Sequence, residues 1–259
     1  MPVGTCAARP AGTAASGTTV SHVHTSDIEY HHDGTRYVGH LAMPDGDDPV
    51  PGVLVCHEGP GIDDHARTTA VRLADLGFAA FALDYHGDGE RLEFAHVRER
   101  LAPLRESAER TRAIGGAGLQ VLLDHPRVDR SRVAAIGFCF GGTMALELAR
   151  GGHDLRAVVG FHSGLATSRP EDASRISGSV LVCIGADDGM IPPEQRAAFE
   201  AEMRAGGVDW RMNLYGGAVH SFTNPDAGAL GVPGIAYHEL TASRAWRAMI
   251  DLFDEVMPR

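Results

Sequence analysis

One stretch of this 259-residue chain combines the residue types that nucleophilic catalysis needs: Ala134-Ala135-Ile136-Gly137-Phe138-Cys139-Phe140-Gly141-Gly142. An apolar run leads into a cysteine with glycines two positions away on either side, and a helical pattern follows. A nucleophile on a sharp strand-to-helix turn has a strained backbone and closely approaching neighbours, and glycines leave the room it requires. The turn also sets Cys139 at a helix N-terminus, where the dipole and free N–H groups favour a thiolate. Taken alone, Gly-x-Cys-x-Gly reads equally well as a core cysteine beside a glycine-rich helix start.

A thiol nucleophile needs a base, and the base needs a group that orients it. Among fourteen histidines, His220 is the one that follows the last predicted strand, in Gly216-Gly217-Ala218-Val219-His220-Ser221-Phe222. It would take the thiol proton or pair with the thiolate while an acid fixes its tautomer. The stretch Gly185-Ala186-Asp187-Asp188-Gly189-Met190-Ile191-Pro192 offers two acids, Asp187 and Asp188, although Asp-Asp-Gly is also an ordinary turn sequence. A fourth segment, Cys56-His57-Glu58-Gly59-Pro60-Gly61, also follows a strand. Oxyanion donors are expected from the N–H of Phe140 and that of Gly59, because Pro60 has none to give.

These residues need elements to hold them. Residues 27–31 and 37–43 read as two antiparallel strands. Beyond them, short apolar runs at 53–56, 78–83, 133–138, 157–161 and 180–184, with a further strand at 211–215, alternate with helical patterns at 66–76, 107–123, 142–150, 193–205 and 243–256. Such alternation predicts an α/β fold, a mostly parallel sheet with helices on both faces. One domain is expected over residues 23–259, preceded by a disordered tail at 1–22 that is rich in Ala, Gly and Thr. The charged, irregular stretch at 86–106 is a candidate lid.

Composition narrows the function classes. Lys plus Arg is 23 and Asp plus Glu is 34, a net charge of −11, which lacks the basic footprint of a nucleic-acid binder. No stretch approaches a membrane span. The four cysteines, Cys6, Cys56, Cys139 and Cys183, show neither zinc-site nor disulfide-framework spacing and suit a reducing cytoplasm. The histidines at 22, 24, 31 and 32 match no standard metal motif, so no metal is expected.

Together these segments resemble the dienelactone hydrolase family of α/β-hydrolases over residues 37–253. The likeness rests on Gly137-Phe138-Cys139-Phe140-Gly141-Gly142, Asp188-Gly189-Met190-Ile191-Pro192, Gly217-Ala218-Val219-His220-Ser221-Phe222, and the glutamate of His57-Glu58-Gly59. The resemblance implies the α/β-hydrolase fold, Asp188 rather than Asp187 as the acid, and no cofactor. It also implies that Glu58 accepts the thiol proton once substrate binds. Two positions depart from the family pattern. Asn224 stands where members acting on dienelactone carry an arginine, and Tyr85-His86 falls where a tyrosine is common. An uncharged Asn224 cannot pair bidentately with a carboxylate. The expected substrate is therefore another small ester or lactone, neutral rather than acidic, met by Asn224, Tyr85 and His86. Arg91, Arg98 and Arg105 of the lid are the alternative source of positive charge. Acyl transfer or ring rearrangement by the same site is a second reading. A non-catalytic ligand-binding or redox-sensing thiol is a third, which a complete triad argues against. The enzyme is expected to act as a monomer or homodimer.

Overall fold

The computed structural model describes residues 22–258. The tail expected over residues 1–22 falls, His22 apart, outside the described residues, as does Cys6. Strands β1 (Val23–His32) and β2 (Thr35–Pro44) pair antiparallel through Asp33-Gly34, both at positive φ (46° and 74°), as a two-residue hairpin turn demands. β2 lies antiparallel to β4 (Ala79–Leu83). The strands β3 (Val50–Cys56), β5 (Val128–Phe138), β6 (Ala157–Phe161), β7 (Ser179–Gly185) and β8 (Trp210–Tyr215) continue in parallel. The order across the sheet is β1-β2-β4-β3-β5-β6-β7-β8.

β4 and β6 are buried at every residue, so neither face of the central sheet meets water. On one face the core is closed by α1 (Asp64–Asp75) and α6 (Glu239–Val256), through Leu73, Ala245, Met249 and Phe253. On the other it is closed by α3 (Ala108–Asp124), α4 (Phe140–Arg150) and α5 (Pro193–Gly206), through Leu119, Met144 and Phe199. This is the α/β-hydrolase arrangement the sequence implied.

Two boundaries differ from expectation. The lid stretch contains a helix, α2 (Phe94–Glu106), which has no side-chain N-cap, carries Pro103 inside it and buries only Leu101 and Leu104. With so narrow an apolar stripe, helical periodicity is absent from the sequence. α6 begins at Glu239 rather than near 243, because the His238 ring accepts from Thr241 N at 3.2 Å and caps it.

Cys56 on β3 and Cys183 on β7 are fully buried, and burial pushes both thiols up, Cys183 to about 12. At the back of α4, fully buried Arg150 binds Glu202 through Nε and Nη2 (2.7 and 2.9 Å) and Glu147 through Nη1 (3.0 Å). Arg112 of α3 reaches the same Glu147 and also Asp172 (2.9 and 2.6 Å).

Candidate active site

The carboxyl ends of β3, β5, β7 and β8 gather the predicted residues on one rim of the sheet. β5 pairs with β6 up to the elbow itself, since Cys139 N donates to Phe161 O at 3.0 Å. Cys139 then turns to φ 53°, ψ −122°, a conformation that costs a non-glycine residue about 1–3 kcal/mol. A Cβ added at Gly137 would lie 2.1 Å from the Gly141 carbonyl oxygen, and one at Gly141 would lie 2.2 Å from that of Cys56. Both glycines are therefore required, and the turn is wedged against the end of β3. Phe140 opens α4, so its N–H has no acceptor within the helix.

His220 Nδ1 lies 2.8 Å from Asp188 Oδ2, and both residues are buried. Asp188 Oδ1 accepts from Met190 N at 2.9 Å, which fixes the carboxylate's plane. Asp187 is exposed, and its backbone N–H serves Ala218 O. The His220 backbone is clamped on both sides, its N–H donating to Gly234 O and its carbonyl accepting from Ala236 N, each at 3.1 Å. Its Nε2 is buried and makes no hydrogen bond with the described residues. Burial opposes the charged form of His220, but the Cys139 sulfur and Asp188 outweigh it, and the ring is pushed up to about 10.

Glu58 is held from the histidine's own loop. Oε1 accepts from Ser221 Oγ at 2.8 Å and Oε2 from Asn224 Nδ2 at 2.5 Å. Asn224 Oδ1 accepts from Asp226 N (3.0 Å), so its NH₂ group must face Glu58. The amide expected at the substrate is engaged by a neighbouring side chain. His162, at the end of β6, is fully buried with Nδ1 3.8 Å from Glu58 Oε1 and Nε2 2.8 Å from Thr223 Oγ1. Burial, with His220 and His65 nearby, holds it well below the usual imidazole range, so it is neutral.

Tyr85 and His86, expected at the substrate, sit instead behind the Glu58 loop. The Tyr85 hydroxyl meets the carbonyls of His57 and Glu58 (3.0 and 2.8 Å), and His86 Nε2 lies 2.7 Å from Gly59 O. Backbone groups with no ladder partner claim these side chains. They hold Glu58 and Gly59 in place and line a separate cavity that does not include Cys139.

Cys139 and His220 stand where two cavities meet. One, of about 310 Å³, is bounded by Glu58, Gly59 and the apolar face of α2, and Arg91, Arg98 and Arg105 also line it. The other, of about 390 Å³, lies between α4 and the start of α5, with Thr143 and Gln195 in its wall. Arg105 and Met190 border both.

The model of the dienelactone hydrolase family matches residues 38–257. The chain belongs to that family. Among solved structures, it is 43% identical to a dienelactone hydrolase-like promiscuous phosphotriesterase from metagenomic libraries, at a TM-score of 0.87, over 90% of this chain and 98% of that one. A Yersinia pestis protein provisionally named carboxymethylenebutenolidase is 26% identical over 90% of this chain and 89% of its own. A Bradyrhizobium protein provisionally named 2-oxo-3-(5-oxofuran-2-ylidene)propanoate lactonase is 25% identical over 82% of this chain and 87% of its own.

As a dienelactone hydrolase family member, the chain is a hydrolase with the family's fold. Its motifs brought Cys139, Asp188, His220, Glu58 and Gly59 to one place. Ser221, His162 and Gln195 were not singled out. Ser221 adjoins a chosen histidine and could have been found by that adjacency, whereas nothing local distinguishes His162 or Gln195.

Proposed function

We propose that this hydrolase cleaves a small ester or lactone through a thiolate on Cys139 and an acyl-enzyme. The observation that carries this reading is the buried Asp188–His220 pair, whose unbonded Nε2 shares a cavity wall with Cys139. In this scheme His220 stays protonated and the thiol proton goes to Glu58, the carboxylate on the same wall. With the proton on Glu58, the thiolate is held by the His220 imidazolium and attacks the carbonyl carbon. The N–H groups of Phe140 and Gly59 receive the oxyanion. His220 gives its proton to the leaving oxygen, becomes neutral, and then takes a proton from the water that cleaves the acyl-enzyme.

Cys139 is half-buried and lies on open cavities, which favours water over a sequestered acyl acceptor. A second reading, attack on a phosphotriester, is favoured by the 43% identical relative described as a promiscuous phosphotriesterase. The first test is turnover of an activated aryl ester. Wild type should show a burst of one phenolate per Cys139, and Cys139→Ala should lose nearly all activity. Full turnover by the alanine variant would place the chemistry elsewhere.

A further inference from the structure

In the cavity between α4 and α5, Gln195 is a neutral wall group with a fixed polarity and a free donor. Gln195 Oε1 accepts from the backbone N–H of Leu165 at 2.6 Å. A backbone N–H can only donate, so this bond identifies the oxygen, and the NH₂ group must lie on the other side. That NH₂ group has no hydrogen-bond partner among the described residues, and Gln195 lines the cavity that Cys139 and His220 share. Thr143, beside it, donates its only hydroxyl proton to Gly164 O at 2.8 Å and so presents lone pairs. The remaining wall includes apolar Phe140, Ala166 and Ile191. Arg105 and Met190 close its edge toward the other cavity, so beside Gln195 the wall is mostly apolar, and a preoriented donor in an apolar wall is the usual form of a selective subsite.

We propose that this cavity is a second substrate subsite, in which Gln195 donates to a neutral acceptor oxygen, an ether or a ketone, on one arm of a two-armed ester. The proposal rests on Cys139 being the nucleophile. The scissile carbonyl sits over Cys139 at the junction of the cavities, one arm passes under α2, and the other runs toward Gln195. Such a substrate carries polar functions on both sides of its ester, a class narrower than simple alkyl esters. Specificity follows from the cost of leaving a buried acceptor unpaired when the donor is lost.

The test uses isosteric pairs in which one CH₂ becomes O. Methoxyacetyl and butanoyl esters of one phenol vary the acyl arm. The 2-methoxyethyl and butyl esters of one acid vary the alcohol arm. Gln195→Glu keeps an oxygen for Leu165 N–H and replaces the donor by an acceptor, and Gln195→Leu removes both. In one of the two series, the ether-to-alkyl ratio of kcat/KM should fall roughly three- to tenfold in Gln195→Glu, the range expected for one hydrogen bond. Gln195→Leu should show the same fall in the ratio. Ratios unchanged from wild type in both series, in an enzyme that Cys139→Ala inactivates, would overturn the subsite alone. Survival of activity in Cys139→Ala would instead overturn the reading on which it stands.

Discussion

Asn224 shows how one side chain's partners redirect its role. Its oxygen is taken by Asp226 N–H and its NH₂ by Glu58, so its polar atoms hold a neighbouring carboxylate at the cavity wall. Asn224 and Ser221 together fix the position of both Glu58 oxygens. The two aspartates separate as sharply. Asp188→Asn removes the acceptor that sets the His220 tautomer and should lower kcat by roughly 10³–10⁴, by analogy with triad asparagine variants. Asp187→Asn, at an exposed side chain, should leave steady-state kinetics within about twofold, the scale of a surface substitution. The pH profile gives a second readout. His220 loses its proton only near pH 10, so kcat/KM should hold through neutrality and fall on an alkaline limb near that value. Asp188 supports the charged ring, so in Asp188→Asn that limb should move to lower pH. An unmoved limb would mean that another group titrates there.

At the scale of elements, α2 is the part of the molecule that the sequence conveyed least. Its residues read as a candidate lid and not as a helix, because a helix that buries so little apolar surface does not betray its period. The opposite happened in α3, where Gly115, Gly116 and Gly118 weaken the helical pattern. A Cβ at Gly118 would come within 2.7 Å of Leu83 Cβ, so that glycine marks helix packed tightly on β4. The strand-to-helix elbow was fully legible, since backbone clashes dictate Gly137 and Gly141 locally. The roles of Asn224, Tyr85 and His86 were not, because their partners lie 27 or more residues away in sequence. α2 also changes the substrate expectation. The absence of arginine at 224 argued for neutral substrates, yet Arg91, Arg98 and Arg105 line the cavity at Cys139, and none has an ion-pair partner among the described residues. Arg91 and Arg98 are exposed, so a carboxylate under α2 gains a solvent-screened pairing of up to about 1 kcal/mol from each. The kcat/KM ratio for a matched acid and its methyl ester should therefore drop severalfold when Arg91 and Arg98 are both replaced by alanine. A ratio indifferent to both would restore the preference for neutral esters.

Over the whole molecule, the site depends on contacts that span most of the chain. Ser221 and Glu58 are 163 residues apart, and Cys139 and Asp188 come from two further segments. What keeps those segments in register is the core beneath them, including the fully buried Arg150 at the end of α4. Arg150→Met would leave Glu147 and Glu202 without that cation, and breaking such a buried pair costs about 3–5 kcal/mol. Urea unfolding should show the midpoint falling at an unchanged slope, whereas a loss within error would mean that Arg112 and water compensate. The three described cysteines offer a different use of the same architecture. Cys139 is partly exposed, while Cys56 and Cys183 lie in β3 and β7 with thiols that burial keeps protonated. Once those strands separate, both become ordinary thiols. In a Cys6→Ser background, a thiol reagent should therefore record two clocks in one sample: a fast phase of one equivalent that reports the state of the site, and a slow phase of two that times the opening of the sheet.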